Sequence, residues 1–222
     1  MENLRETLTK LSDAKYKEFA KKFLPPDENL LGVRIPHLRK IAKQAAADLE
    51  SIPAPFYFEE TMVSGMAIGY ADIEPKRRAE LLEEFAHKIT NWSVCDSVCA
   101  TIKIKDGEQS AFLPLIKKYI KSKREYECRF AYVMLLDHFA EEEYADFAVE
   151  NFAQFSNGSF YAITACAWCI ATFHAKFPRR ITEFLQSSSM RSIAAKKTAI
   201  RKILESRRTA EEYRKIIKSI RI

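Results

Sequence analysis

The sequence predicts an all-α protein, a curved α-solenoid built from helical-hairpin repeats. Three observations carry that expectation. Apolar residues recur at helical spacing along nearly the whole chain. Only 5 of the 222 residues are Gly, which argues against a turn-rich all-β fold. Trp92, Arg129 and Trp168 stand 37 and 39 residues apart, about the length of one two-helix repeat.

The elements follow in order. Leu4, Leu8 and Leu11, then Phe19 and Phe23, give apolar positions at helical spacing until Pro25-Pro26 stops the helix. Residues 30–35 form a connector, and Pro36 suits the first turn of a helix to Asp48. Ile52-Pro53-Ala54-Pro55 is a break. A buried helix is expected over 56–70, where Gly65 and Gly69 would permit close helix approach. Glu74-Pro75 opens a helix that carries Leu81, Leu82 and Phe85. Thr90 or Asn91 can cap the helix starting at Trp92, since either side chain accepts a backbone N–H bond. Helices are then expected over 109–122, with Pro114 at its first turn or a kink, over 124–139 and over 141–155. Asn157-Gly158 is a turn, and Ser159 caps the helix that holds Trp168 and ends before Pro178. Segments 178–187, 191–205 and 209–220 complete the array, and no segment reads as a convincing strand. The segments share periodicity more than sequence, as HEAT-like repeats do. No linker divides them, so residues 1–222 read as a single HEAT-like repeat domain.

Composition narrows the class. Hydrophobic residues make up 47% and charged residues 30%, the balance of a globular chain. MENLRETLTK at the N-terminus reads as no secretory signal, and the apolar stretch 162–175 is too short to span a bilayer. A soluble, cytoplasmic protein is expected. Cys95, Cys99, Cys128, Cys166 and Cys169 are an odd set, expected to be reduced thiols. The Cys95/Cys99 and Cys166/Cys169 spacings could each present two metal ligands. All five lie among apolar residues, however, where buried Cys is common.

The formal net charge of +6 is unevenly placed. Residues 176–222 carry 14 Lys/Arg against 4 Asp/Glu, leaving 22 against 26 for residues 1–175. A basic end on a slightly acidic body points to a polyanionic partner, nucleic acid first; the plain alternative is a solvated basic surface.

The candidate site starts from Trp92 and Asp96, four residues apart and hence on one helical face with Cys95 and Cys99. A buried unpaired carboxylate is costly. Asp96 should therefore be exposed in a groove, paired to a cation, or bonded to a neighbouring helix end. Arg129 lies in an otherwise apolar stretch, so it should pair with a carboxylate, Asp96 being one choice, or emerge into the groove. Trp168 is flanked by small residues that leave room beside its ring; the alternative is a core Trp. Lys196, Lys197, Arg201 and Lys202 could line a phosphate backbone or simply face solvent.

In order and spacing these residues resemble the DNA alkylation repair family of HEAT-like, AlkD-like glycosylases. Residues 32–40, GVRIPHLRK, look like its N-terminal segment, and Asn91 to Asp96 like its "NW-x-x-x-D" segment. Cys128-Arg129-Phe130 resembles the repeat with its groove Arg, Ala165-Cys166-Ala167-Trp168 its "AIGW" segment, and residues 191–202 its last basic repeat. Where active relatives often carry an Arg three or four residues after that Trp, this chain has Thr172. The resemblance implies a glycosylase that removes N3- or N7-alkylated purines from duplex DNA. Asp96 would be the catalytic carboxylate, with Trp92 and Trp168 beside the damaged nucleotide. Arg129 and the cations Lys196, Lys197, Arg201 and Lys202 would hold phosphates. It implies no cofactor or metal, a monomer associated with the nucleoid, and no membrane. A non-catalytic DNA-binding protein that reads DNA shape or branching, and a protein-binding adaptor, are the competing classes.

Overall fold

The computed structural model describes residues 4–187 and 189–221. Among them are 13 α-helices, two short 3-10 turns and no strand, so the fold is all-α as the periodicity predicts. No helix among the described residues is long and apolar enough to cross a membrane. The chain divides into two compact units, Met1–Phe112 and Leu113–Ile222.

The first unit holds α1 (Leu4–Lys10), α2 (Ala14–Ala20), α3 (Ile35–Ala45), α4 (Phe58–Tyr70), α5 (Pro75–Ala86) and α6 (Trp92–Cys99). Its centre is α4, which packs against α3, α5 and α6. Met62, Val63, Met66 and Ala67 of α4 are fully buried, so α4 is apolar on nearly every side, as a helix enclosed by neighbours must be. Gly65 and Gly69 make those neighbours fit. A Cβ at Gly65 would run into the Phe85 ring and Val98, and one at Gly69 into the Thr101 side chain.

Two carboxylates on α4 are buried among these apolar residues, and both are consumed by backbone. Glu59 accepts N–H bonds from Leu31 (3.0 Å), Gly32 (2.6 Å) and Val33 (3.0 Å). Glu60 accepts from Phe56 N (2.7 Å), Tyr57 N (3.1 Å) and the Arg5 guanidinium (2.7 and 3.1 Å). Burial alone would push the Glu60 carboxyl up, but the Arg5 bond and the two backbone N–H groups hold it below its ordinary value. The connector fixed by Glu59 needs Gly32, whose φ is +94° and whose absent Cβ would lie 2.7 Å from Asp13 O.

The sequence expectation of one helix before Pro25 is corrected here. The structure breaks it into α1 and α2, because Asp13 Oδ1 caps α2 by accepting from Tyr16 N at 3.0 Å.

The helix α7 (Gln109–Tyr119) carries Pro114 in its interior, and the unit boundary falls within it. The second unit continues with α8 (Glu125–His138), α9 (Glu142–Gln154), α10 (Phe160–Lys176), α11 (Pro178–Gln186), α12 (Ile193–Glu205) and α13 (Glu211–Ser219). Here α10 lies between α8 and α12, so every second helix is a spatial neighbour, the arrangement of stacked helical hairpins. Ala162, Ala165, Cys166, Ala167 and Cys169 of α10 are fully buried, and their small size lets α8 and α12 approach. Phe152, Phe173 and Phe184 form an aromatic cluster with ring centroids 5.7 and 6.2 Å apart. All five cysteines are buried free thiols. Burial pushes Cys128 up to about 12 and raises Cys166 and Cys169 as well, so these thiols are packing groups.

Ser159 occupies the N-cap position of α10 but its hydroxyl makes no capping bond. The first turn is served from α8 instead, where Glu125 accepts from Tyr161 N at 2.7 Å.

Candidate functional site

In the first unit the site begins with α6. Asn91, fully enclosed, accepts from Val94 N at 3.0 Å and so fixes where the helix starts. Thr90, the other candidate cap, instead donates to Glu28 Oε2 at 2.9 Å. The cap sets the register of the short helix. Val94, Cys95, Val98 and Cys99 are buried, while Trp92 and Asp96, one turn apart, are both half-buried. Asp96 therefore shares with an indole the margin between core and surface.

In the second unit Arg129 is only 6% exposed. Its guanidinium donates to Tyr161 O (3.0 Å) and Thr164 Oγ1 (3.2 Å) on α10, and it lies 5.8 Å from the Tyr161 ring centroid. That ring stacks on Tyr126 at 5.8 Å. Arg129 thus braces α8 against α10, with Nη1 as the donor of both bonds.

Trp168 is 38% exposed, unlike its neighbours Ala167 and Cys169, which are fully buried. It lines a cavity of about 520 Å³ together with Asp137, Thr172, Lys202, Glu205 and Arg208. The four cations of α12 separate. Lys202 reaches that cavity, and Lys197 and Arg201 are exposed, Arg201 lying 3.8 Å from Glu205. Lys196 is 9% exposed and donates to Ser187 O at 3.1 Å, so its ammonium is engaged inside the unit and not along an outer edge.

Three charged residues of the cavity, Asp137, Glu205 and Arg208, escaped the sequence reading. Asp137 stands 41 residues after Asp96, close to the repeat interval, and that spacing was the available signal. Arg208 sits in the loop after α12, where charge alone says little. The loop is held firmly: Arg214 donates to Leu204 O, Ser206 O (3.0 Å) and Thr209 O (3.4 Å), and Thr209 Oγ1 donates to Ile203 O at 2.7 Å. These bonds satisfy carbonyls that the end of α12 leaves open. No group of His, Cys, Asp and Glu among the described residues has the makings of a metal site.

A search of curated proteins finds no match to this chain. The family model described as DNA alkylation repair enzyme matches residues 4–203, running through both units. The chain therefore belongs to the DNA alkylation repair enzyme family, and its role lies in the repair of alkylated DNA.

Proposed function

We propose that the protein is a DNA glycosylase that excises positively charged N3- and N7-alkylated purines from duplex DNA. The observation that carries this reading is the margin of α6, where a half-buried indole and a half-buried carboxylate stand one turn apart on a capped helix. An alkylated purine already carries positive charge and leaves readily. As the C1′–N bond breaks, its electron pair departs with the purine, which becomes neutral, and positive charge grows on the deoxyribose. Asp96 stabilises that charge where it develops and orients the water that adds to C1′, whose proton passes to solvent. The indole face of Trp92, one turn from Asp96, attracts the cationic sugar and base, a good contact adding about 0.5–2 kcal/mol. Lys197, Arg201 and Lys202 are the α12 cations available to phosphates.

The test is release of methylated bases from methylated duplex DNA. Wild type should release them, and Asp96→Asn should slow release about 100-fold or more, the usual loss for one transition-state electrostatic group, with DNA binding retained. Equal rates for the two proteins would remove Asp96 from the mechanism. A second reading, a DNA-binding protein without catalysis, uses only the α12 cations Lys197, Arg201 and Lys202 and needs no carboxylate. That reading predicts salt-sensitive DNA binding with no base released.

A further inference from the structure

A smaller cavity, of about 220 Å³, lies in the second unit where the loops before α8, α10 and α12 meet. Lys121 and Lys123 line it from the first of these loops and Arg191 from the last. It is separate from the Trp168 cavity. Asn157, in its wall, precedes α10, and Trp168 stands 11 residues further on, about 16 Å along a helix. Sites that enclose a whole small molecule measure about 300–1,000 Å³, so this recess suits a single small group.

The three cations are exposed, and none has an ion pair among the described residues. Among those residues no carboxylate lines the cavity. The acids that flank its loops are turned to other partners: Glu125 to Tyr161 N (2.7 Å), Glu127 to Arg124 (2.8 Å) and Glu150 to Gln154 (3.2 Å). Carbonyls that would repel an anion are occupied as well. Asn157 Nδ2 donates to Ser122 O (3.0 Å) and Lys123 O (3.2 Å), Tyr132 OH to Asn151 O (3.2 Å), and Arg191 N to Ala153 O (3.1 Å). The same bonds fix the loops against one another. Three like charges thus surround one recess without a counter-charge, an arrangement that an anion relieves.

We propose that this cavity binds a phosphate group, with Arg191 as its principal ligand and Lys121 and Lys123 completing the charge. A guanidinium can meet two phosphate oxygens at once, and the two ammonium groups add point charges. The phosphate belongs either to a DNA strand crossing the cavity mouth or to a free phosphate ion. A strand would be anchored here at a distance from Trp168, whereas a free ion would stabilise the folded unit by linkage. The site goes beyond the glycosylase reading and does not depend on it.

The probe is inorganic phosphate, titrated against chloride at equal ionic strength while backbone amide shifts of the loops are followed. Shifts at Lys123, Asn157 and Arg191 should saturate with phosphate and not with chloride. Arg191→Gln should weaken phosphate about tenfold or more, the loss of a charge-assisted bond. Its backbone N–H keeps the bond to Ala153 O. The double variant Lys121→Gln, Lys123→Gln should weaken phosphate too. All three side chains are exposed, so in chloride these variants should melt as wild type does. A second measurement identifies the source: duplex DNA affinity with and without saturating phosphate at fixed ionic strength. If a strand supplies the group, phosphate weakens duplex binding by wild type and leaves Arg191→Gln unaffected. If the free ion supplies it, duplex binding by both proteins is unchanged. Wild-type shifts that follow ionic strength alone overturn the proposal, as does undiminished phosphate affinity in Arg191→Gln.

Discussion

Replacing Glu59 tests whether a buried carboxylate holds the first unit's connector in place. Glu59 is fully buried and accepts three backbone N–H bonds, two of them on Oε1 and one on Oε2. Gln at this position can keep its oxygen on Gly32 and Val33. Its amide nitrogen then meets the Leu31 N–H, donor against donor. One charge-assisted bond is lost and the other two lose their ionic partner, for a cost of about 1.5–3 kcal/mol. Glu59→Ala strands all three N–H groups, two on buried residues, and should cost at least about 3 kcal/mol, even after the relief of burying one charge fewer. Urea unfolding monitored by helical circular dichroism should show the midpoint falling in the order wild type, Gln, Ala. Amide exchange locates the effect: protection at Leu31 should drop about 10- to 150-fold in Glu59→Gln, the stated cost at 1.4 kcal/mol per decade. A Gln variant within about 0.5 kcal/mol of wild type, with Leu31 equally protected, would refute the reasoning.

Two further predictions concern the second unit. His174 is 1% exposed, its Nε2 lies 3.3 Å from Thr182 Oγ1, and burial pulls its pKa down to about 4. Between its ordinary value of 6.5 and about 4 the unfolded chain binds a proton that the native chain refuses. Stability should therefore fall as pH drops through that window and change no further from this source below it. Thermal melts of His174→Gln should lose that part of the slope, and a variant with the wild-type slope would refute the assignment. Arg129→Met should lose both bonds that Nη1 makes, to Tyr161 O and Thr164 Oγ1, and destabilise the protein by about 1–3 kcal/mol. An unchanged melting temperature with weakened DNA binding would assign Arg129 to phosphate and not to bracing.

Much of the fold was legible because its signals are local. The helical period, a cap at Thr90 or Asn91 and the close approach at Gly65 and Gly69 each depend on a few neighbouring residues, and the structure gives the cap to Asn91. The failures are where distant partners decide. Asp13 ends one helix and starts another inside a continuous apolar pattern, its N–H donating to the distant Gly32 O at 3.0 Å. Glu125 takes over the start of α10 from 36 residues away, leaving Ser159 without the capping bond its position suggests. Glu59 and Glu60 stood inside an expected buried helix, and two acids there announce a backbone or cationic partner on the same grounds that drew attention to Asp96. The partner itself, the 31–33 connector, could not be read from spacing.

The segment that resembles the family's N-terminal motif now has a physical account. Gly32 supplies the positive φ, Gly32 and Val33 offer N–H groups to Glu59, and Arg34 bonds Asp13 at 2.9 Å while lying over the Tyr16 ring at 5.0 Å. Its residues build the unit that carries α6, so their presence speaks for the scaffold more than for the chemistry. The departure at Thr172 has a different meaning. A relative's Arg near this position would bring a cation beside the second Trp. Here Thr172 lines the Trp168 cavity, and the cations of that cavity come from Lys202 on α12 and Arg208 on the loop beyond it. A charge lost from one helix is thus available from the next, since stacked hairpins bring α10 and α12 side by side. Phosphate grip beside Trp168 should then depend on the Lys202/Arg208 wall. Restoring an Arg at Thr172 should add least where that wall is intact and most where both cations have been replaced by Gln.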